Sequence, residues 1–467
     1  MRMPELVVDR LASFAVETEF KDLPKATVDM AKTVLIDTLG CTLGGYHGDA
    51  SQIAIRLVEM LEGKKESTIV GRGKTCSPNA ALANAVMARY LDFNDVWISH
   101  SREVVHASEV VIPTALAVGE REHASGRDIL LAIVLGYEMD MRLAEAPLNG
   151  FDERGFMIWG TPLGAAVVAG KLLNLSRDQM INAMAISPPK IDIGGMQHFR
   201  GAVTMMKSIG GGLTARDGIV AALMAKDGCV AAPAIFEGAS GFCDWAGGCN
   251  FDALYGNLGK KFKIHETWLK PYSSHYSFHT ALDIAIKMLK ERELSPDEIK
   301  EVNVRTFLRA SQMATPAHYA PPTMELAQFS LPFCMALAIA KGDVLPHFFT
   351  EKNMKDHTLL GLARKVKVSL DPELDNIALT RGRMARPASI EVVTTKGDAY
   401  KEQSEYPTGH YPQKPFPKDR LELKYTMLAS KLMRKEQIKK TIDIINRFEK
   451  IADVNELMKV YPRQSKP

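Results

Sequence analysis

A short run with its own chemistry lies past the middle of the chain: Lys270, Pro271, Tyr272, Ser273, Ser274, His275, Tyr276, Ser277, Phe278 and His279. Pro271 does not fit inside a helix, so this polar cluster is a loop. The spacing of Ala281, Leu282, Ile284, Ala285, Met288 and Leu289 then predicts a buried helix behind it. Ionisable groups carried to a helix N-terminus make a natural anion site, because free backbone N–H groups and the helix dipole both favour negative charge. A plain capped helix, with Ser277 or one of its neighbours as N-cap and histidines on the surface, accounts for this loop equally well.

A second constellation is Leu91-Asp92-Phe93-Asn94-Asp95, followed by Trp97, His100, Arg102 and His106. Two acids and two histidines so close together supply a base, an acid and an anchor. The competing reading has Asp92 and Asp95 bonding local backbone at a helix end; we favour chemistry. The third is Lys207, set between Met205-Met206 and the run Gly210-Gly211-Gly212. A lysine enclosed there must lose its proton or face an anion, and a solvated loop lysine is the lesser reading.

These groups must be positioned by a chain of 467 residues, 46% hydrophobic and 24% charged, which is ordinary globular composition for two or three domains. The net charge of +3, from 58 basic and 55 acidic residues, argues against a nucleic-acid partner. The basic stretch from Lys431 to Lys440 reads as the solvated face of a C-terminal helix. No apolar run is long enough for a membrane span, and the N-terminus has no signal layout, so a cytoplasmic protein is expected. The six cysteines form no CxxC pair; Cys243 and Cys249 are close, but buried or incidental thiols are expected rather than metal ligands. The glycine run is a weak nucleotide signal.

Helical spacing dominates the first half, over Pro4–Phe20, Pro24–Leu39, Ala80–Leu91, Val110–Glu120, Ile129–Ala144, Gly164–Leu173 and Arg216–Ala225, with Gly44-Gly45 breaking the pattern. Small residues on these helices predict a tight multihelical core. From about Ile299 the texture changes. Val302–Thr306, Val366–Leu370 and Ile390–Val392 alternate, Lys396-Gly397 predicts a hairpin turn, and helices over Leu326–Ala340 and Thr358–Arg364 lie between. After Pro417 the chain returns to helix, which suggests that the C-terminus folds back onto the first part.

The motifs in order are Leu91-Asp92-Phe93-Asn94-Asp95, Leu135-Gly136-Tyr137-Glu138, Met206-Lys207, Ala215-Arg216-Asp217-Gly218, Phe236-Glu237-Gly238 and Lys270-Pro271-Tyr272 with His279 and Asp283. Ala327-Gln328-Phe329-Ser330, Arg386-Pro387-Ala388 and Tyr406-Pro407-Thr408-Gly409-His410 complete the set. Together they resemble the MmgE/PrpD family, from near residue 10 to about 430. That family includes 2-methylcitrate dehydratase, cis-aconitate decarboxylase and iminodisuccinate epimerase. The resemblance implies a mainly α protein with an α+β part. Residues 1–265 and 411–467 would form a large multihelical domain, and 266–410 a small α+β domain with an antiparallel sheet. It also implies a homodimer and chemistry on a small carboxylate between the domains, with neither cofactor nor metal. The family's catalytic positions fall on Asp92, His106, Lys207, Lys270 and His275. Asp95, Arg102 and Tyr272 stand beside them as expected substrate contacts, and Tyr319 aligns loosely with a family tyrosine.

Two departures stand out. Members that handle tricarboxylates carry a Gly-aromatic-His-Pro-Thr segment, but Met157 holds the histidine place here and the segment is about two residues short. Val96 replaces a common threonine, and four extra residues precede His106. Methionine neither donates to a carboxylate nor transfers a proton, so the pocket is not expected to recognise 2-methylcitrate unless His100, Arg102 or His198 substitutes. Lys207 and Lys270 are expected to stabilise negative charge on a carbon next to a carboxylate, each such donor contributing ~3–4 kcal/mol. His106 or His275 would move the proton. A hydro-lyase acting on a hydroxy-polycarboxylate is expected first; an epimerase, isomerase or decarboxylase, or a carboxylate binder without activity, are the alternatives.

Overall fold

The computed structural model describes residues 5–100, 104–148, 156–157, 162–187, 192–193, 198, 203–381 and 385–462. In the first half, α1 (Val7–Glu17), α2 (Lys25–Gly45), α3 (Asp49–Leu61), α4 (Ser77–Tyr90), α5 (Ala107–Glu122), α6 (Gly126–Glu145), α7 (Pro162–Leu172), α8 (Arg177–Ile186) and α9 (Met206–Lys226) enclose one apolar core. The alanines of α4 are buried all round, so neighbouring backbones approach closely.

Two glycine clusters lie inside helices, so the break expected at Gly44-Gly45 does not occur. Helix α9 runs through Gly210–Gly212, because a Cβ on Gly211 would stand 2.5 Å from the Glu109 Oε1 and one on Gly212 2.8 Å from the Leu82 carbonyl oxygen. Glycine costs a helix about 1 kcal/mol relative to alanine, a loss offset here by close packing on α4 and α5. Helix α2 likewise continues through Gly44 and Gly45.

A second apolar core is built from α10 (His279–Glu291), α11 (Leu331–Lys341), α12 (His357–Lys365) and a four-stranded sheet. The strands are β1 (Ile299–Thr306), β2 (Val366–Leu370), β3 (Ala388–Thr394) and β4 (Ala399–Ser404), in the order β4-β3-β1-β2. On the buried face Val302 lies opposite Val392 and Val304 opposite Ile390. β4–β3 and β3–β1 pair antiparallel, whereas β2 joins β1 in parallel. The chain between them includes α11, and such a crossover is what a parallel neighbour requires.

The chain then returns through α13 (Lys418–Ala429) and α14 (Lys435–Asn446), whose Leu421, Tyr425, Ile438, Ile444 and Ile445 enter the first core. Helix α13 lies on α2 where α2 has no side chains: a Cβ on Gly40 would meet the Tyr425 ring at 3.3 Å, and one on Gly44 would meet Leu428 at 2.6 Å. Cys243 and Cys249 are bonded as a disulfide, which corrects the expectation of thiols at both. Gly247 and Gly248, both at positive φ, turn the chain back between them. Cys41, Cys76, Cys229 and Cys334 are free. Among the described residues no helix is long and apolar enough to cross a membrane.

Candidate active site

Helix α4 ends on Tyr90, and the chain turns sharply at Asp92, whose φ of +48° is left-handed. Asp is among the residues that tolerate that region best. The turn is gripped from the second core: the Leu91 carbonyl accepts from Ser273 Oγ at 2.5 Å and from Gln328 Nε2 at 2.8 Å. The Asp92 carboxylate is thereby held in the interior, where its Oδ1 accepts from Lys270 Nζ at 2.7 Å and from Arg89. Lys270 Nζ also reaches the Asp92 carbonyl at 3.2 Å.

Lys207, in the first turn of α9, arrives from another side. Its Nζ donates to Gln328 Oε1 at 2.9 Å and lies 5.4 Å from the centre of the Phe329 ring. Gln328 thus accepts a hydrogen bond from Lys207 with its oxygen and donates to the Leu91 carbonyl and Ser273 Oγ with its nitrogen, tying both lysine segments to the Asp92 turn. His275 adjoins this link, since its backbone N–H donates to the Gln328 carbonyl at 2.9 Å and its ring packs 4.7 Å from Phe329. Lys207 and Lys270 are both fully enclosed.

Arg89 was not singled out from sequence, yet it joins three groups. Its guanidinium bonds Asp92, places Nε 2.9 Å from Glu109 Oε2, and sets Nη2 3.3 Å from His106 Nε2. A guanidinium only donates, so His106 Nε2 is the acceptor and its proton sits on Nδ1, which donates to the Asp95 carbonyl at 2.5 Å. His275 holds the opposite tautomer: Nδ1 accepts from the Ser277 N–H at 3.2 Å, leaving the proton on Nε2.

Burial and mutual charge set the protonation states. Burial works against the Asp92 carboxylate, but Lys270, Lys207 and Arg89 overcome it and hold the group well below its usual range. Burial also pulls Lys207 and Lys270 down to about 8, against the pull of Asp92 and assisted by Arg89. Burial and then Arg89 keep His106 neutral; burial and then Arg309 do the same for His275. Burial raises Glu109 to about 8. The groups of this cluster that titrate at about 8 are therefore the two lysines and Glu109, not the histidines.

Asp92, His106, Lys207, Lys270 and His275 thus meet in one buried network. Asp95 lies behind it: its carboxylate accepts from Ser108 Oγ at 2.6 Å and Tyr137 Oη at 2.7 Å, and burial lifts it to about 6. Tyr272 donates to Asp283 at 2.7 Å, and Tyr319 to the Val366 carbonyl at 3.1 Å. Arg102 lies outside the described residues, as does the Met157 side chain. His100 is exposed and bonds Glu145, and His198 Nδ1 is 3.0 Å from Thr204 Oγ1. Arg89 had a signal in the sequence, a charge inside a helix with no polar face; Gln328 had none beyond its motif.

The ordered motifs are matched along nearly the whole chain. The MmgE/PrpD N-terminal domain covers residues 9–252 and the MmgE/PrpD C-terminal domain residues 272–450. The chain belongs to the MmgE/PrpD family. This MmgE/PrpD chain is 24% identical to a cis-aconitate decarboxylase of Aspergillus terreus, over 97% of its own length and 95% of that protein's. It is 26% identical to human cis-aconitate decarboxylase over 95% and 92% of the two chains. Its 26% identity to 2-methylcitrate dehydratase of Cupriavidus necator extends over 39% of each.

Proposed function

We propose that this MmgE/PrpD member is a cofactor-independent lyase acting on a small polycarboxylate at a carbon next to a carboxylate. The observation that carries this is the burial of Lys207 and Lys270 beside Asp92, with pKa values near 8. Two enclosed ammonium groups suit a polyanion, and their pKa lets them give up a proton near neutral pH.

The donor inventory favours decarboxylation over the dehydration expected from sequence. Each histidine has its lone pair engaged, His106 by Arg89 and His275 by Ser277. Decarboxylation asks only for a donor. The carbon–carboxylate bond breaks, its electron pair is left on the carbon and delocalised into a neighbouring unsaturated acid, and a lysine Nζ–H supplies the proton. The lysine then regains a proton from water. Dehydration is the second reading, and the paired pKa values support it. One lysine, partly neutral near pH 8, would take the carbon-bound proton while the other protonates the departing hydroxyl. The full-length likeness to cis-aconitate decarboxylases supports the first reading, and the partial likeness to 2-methylcitrate dehydratases the second.

A panel of di- and tricarboxylates, including cis-aconitate and 2-methylcitrate, incubated with the protein in D2O and followed by 1H NMR, tests the proposal. We expect loss of CO2 with deuterium at one product carbon, or loss of water. Exchange without net loss would identify an epimerase, and neither exchange nor loss with any acid a carboxylate binder.

A further inference from the structure

We propose that Lys424, on the returning helix α13, is a positioning residue that locks Asp92 in its left-handed conformation and thereby sets the Asp92–Lys270 contact. The inference rests on the reading of that contact as part of the reaction centre. Lys424 is buried; its Nζ donates to the Phe93 carbonyl at 2.7 Å and the Lys270 carbonyl at 3.1 Å, and it forms an ion pair with the Asp37 carboxylate at 2.6 Å. It also lies 3.9 Å from the centre of the Phe93 ring. Two hydrogen bonds and an ion pair thus commit this buried ammonium to the protein.

What it holds explains its place. Phe93 directly follows Asp92, and a left-handed non-glycine residue persists only where its surroundings fix it. The carbonyl before Asp92 is held by Ser273 and Gln328, and the carbonyl after it by Lys424. The same ammonium grips the main chain of Lys270, the residue whose side chain pairs with Asp92. One cation thus fixes both backbones that meet in the catalytic ion pair. Asp37, from α2, anchors it, and Gly40 and Gly44 let α13 come near enough for it to reach.

Replacing Lys424 alone would strand Asp37 as a buried unpaired charge, so the decisive variant is the double Asp37→Asn, Lys424→Met, compared with Lys424→Arg and wild type. With cis-aconitate as probe, we expect the folded double variant to lose about a hundredfold in kcat, the scale of a misplacement near 1 Å, with KM little changed. Lys424→Arg should recover most of that loss. A double variant with wild-type melting temperature and wild-type kcat would overturn the proposal. A crystal structure of the double variant tests the same point without turnover: Asp92 should leave the left-handed region and Lys270 Nζ should separate from its carboxylate. Unchanged geometry there would overturn Lys424's role, whereas failure of wild type to turn over any acid would overturn only the proposed function.

Discussion

Arg89 and His106 face each other at 3.3 Å, guanidinium Nη2 to imidazole Nε2. The contact assigns the imidazole proton to Nδ1, directs it at the Asp95 carbonyl, and withholds the other nitrogen from substrate. A histidine expected to move protons is thus presented as a fixed neutral group.

Substituting Arg89→Gln should release this constraint. His106 loses one of the cations that hold it neutral, so its pKa should rise toward the ordinary value of 6.5. Removing one member of a buried ion-pair cluster should also destabilise the fold by about 3–5 kcal/mol. Histidine 15N chemical shifts against pH and urea unfolding measure the two effects.

The lysines predict opposite trends for activity and stability above neutrality. Both have folded pKa values of about 8, below 10.5 for an unburied lysine. Between these values the unfolded chain binds more protons, so their contribution to stability rises with pH. Burial pushes the thiols of Cys41 and Cys334 up from 9.0, so they oppose that rise once unfolded cysteines ionise, and Tyr137, pushed well above 10.0, opposes it further once unfolded tyrosines do. Decarboxylation needs the protonated lysines, so kcat should fall above pH 8 while the urea midpoint rises from about pH 8 to about pH 9. A kcat that climbs through this range would favour a lysine base.

The fold class was legible because helical spacing before Ile299 and alternation after it are strong local signals. Glycine misled at Gly44-Gly45, which reads as a break yet makes contacts with Leu428 and Met87, and Gly211 and Gly212 likewise pack on Glu109 and Leu82, residues distant in sequence. The parallel β1–β2 pair was also hidden, since alternation reports burial and not strand direction. Lys207 and Lys270 stood out because charge between apolar or proline-bearing neighbours is costly to bury without purpose. Lys424 gave no such signal. In Arg420-Leu421-Glu422-Leu423-Lys424-Tyr425 it looks like any solvated helix lysine, and only the approach of α13 to α2 encloses it.

Wild type, Lys207→Met and Lys270→Met incubated with cis-aconitate and with 2-methylcitrate in D2O, and read by 1H NMR, test the lysine-donor assignment most directly. Wild type should place one deuterium on a carbon of the decarboxylated product. Each lysine variant should be at least about a hundredfold slower, with an unchanged circular dichroism spectrum. Deuterium incorporation at the wild-type rate in both variants would contradict the assignment.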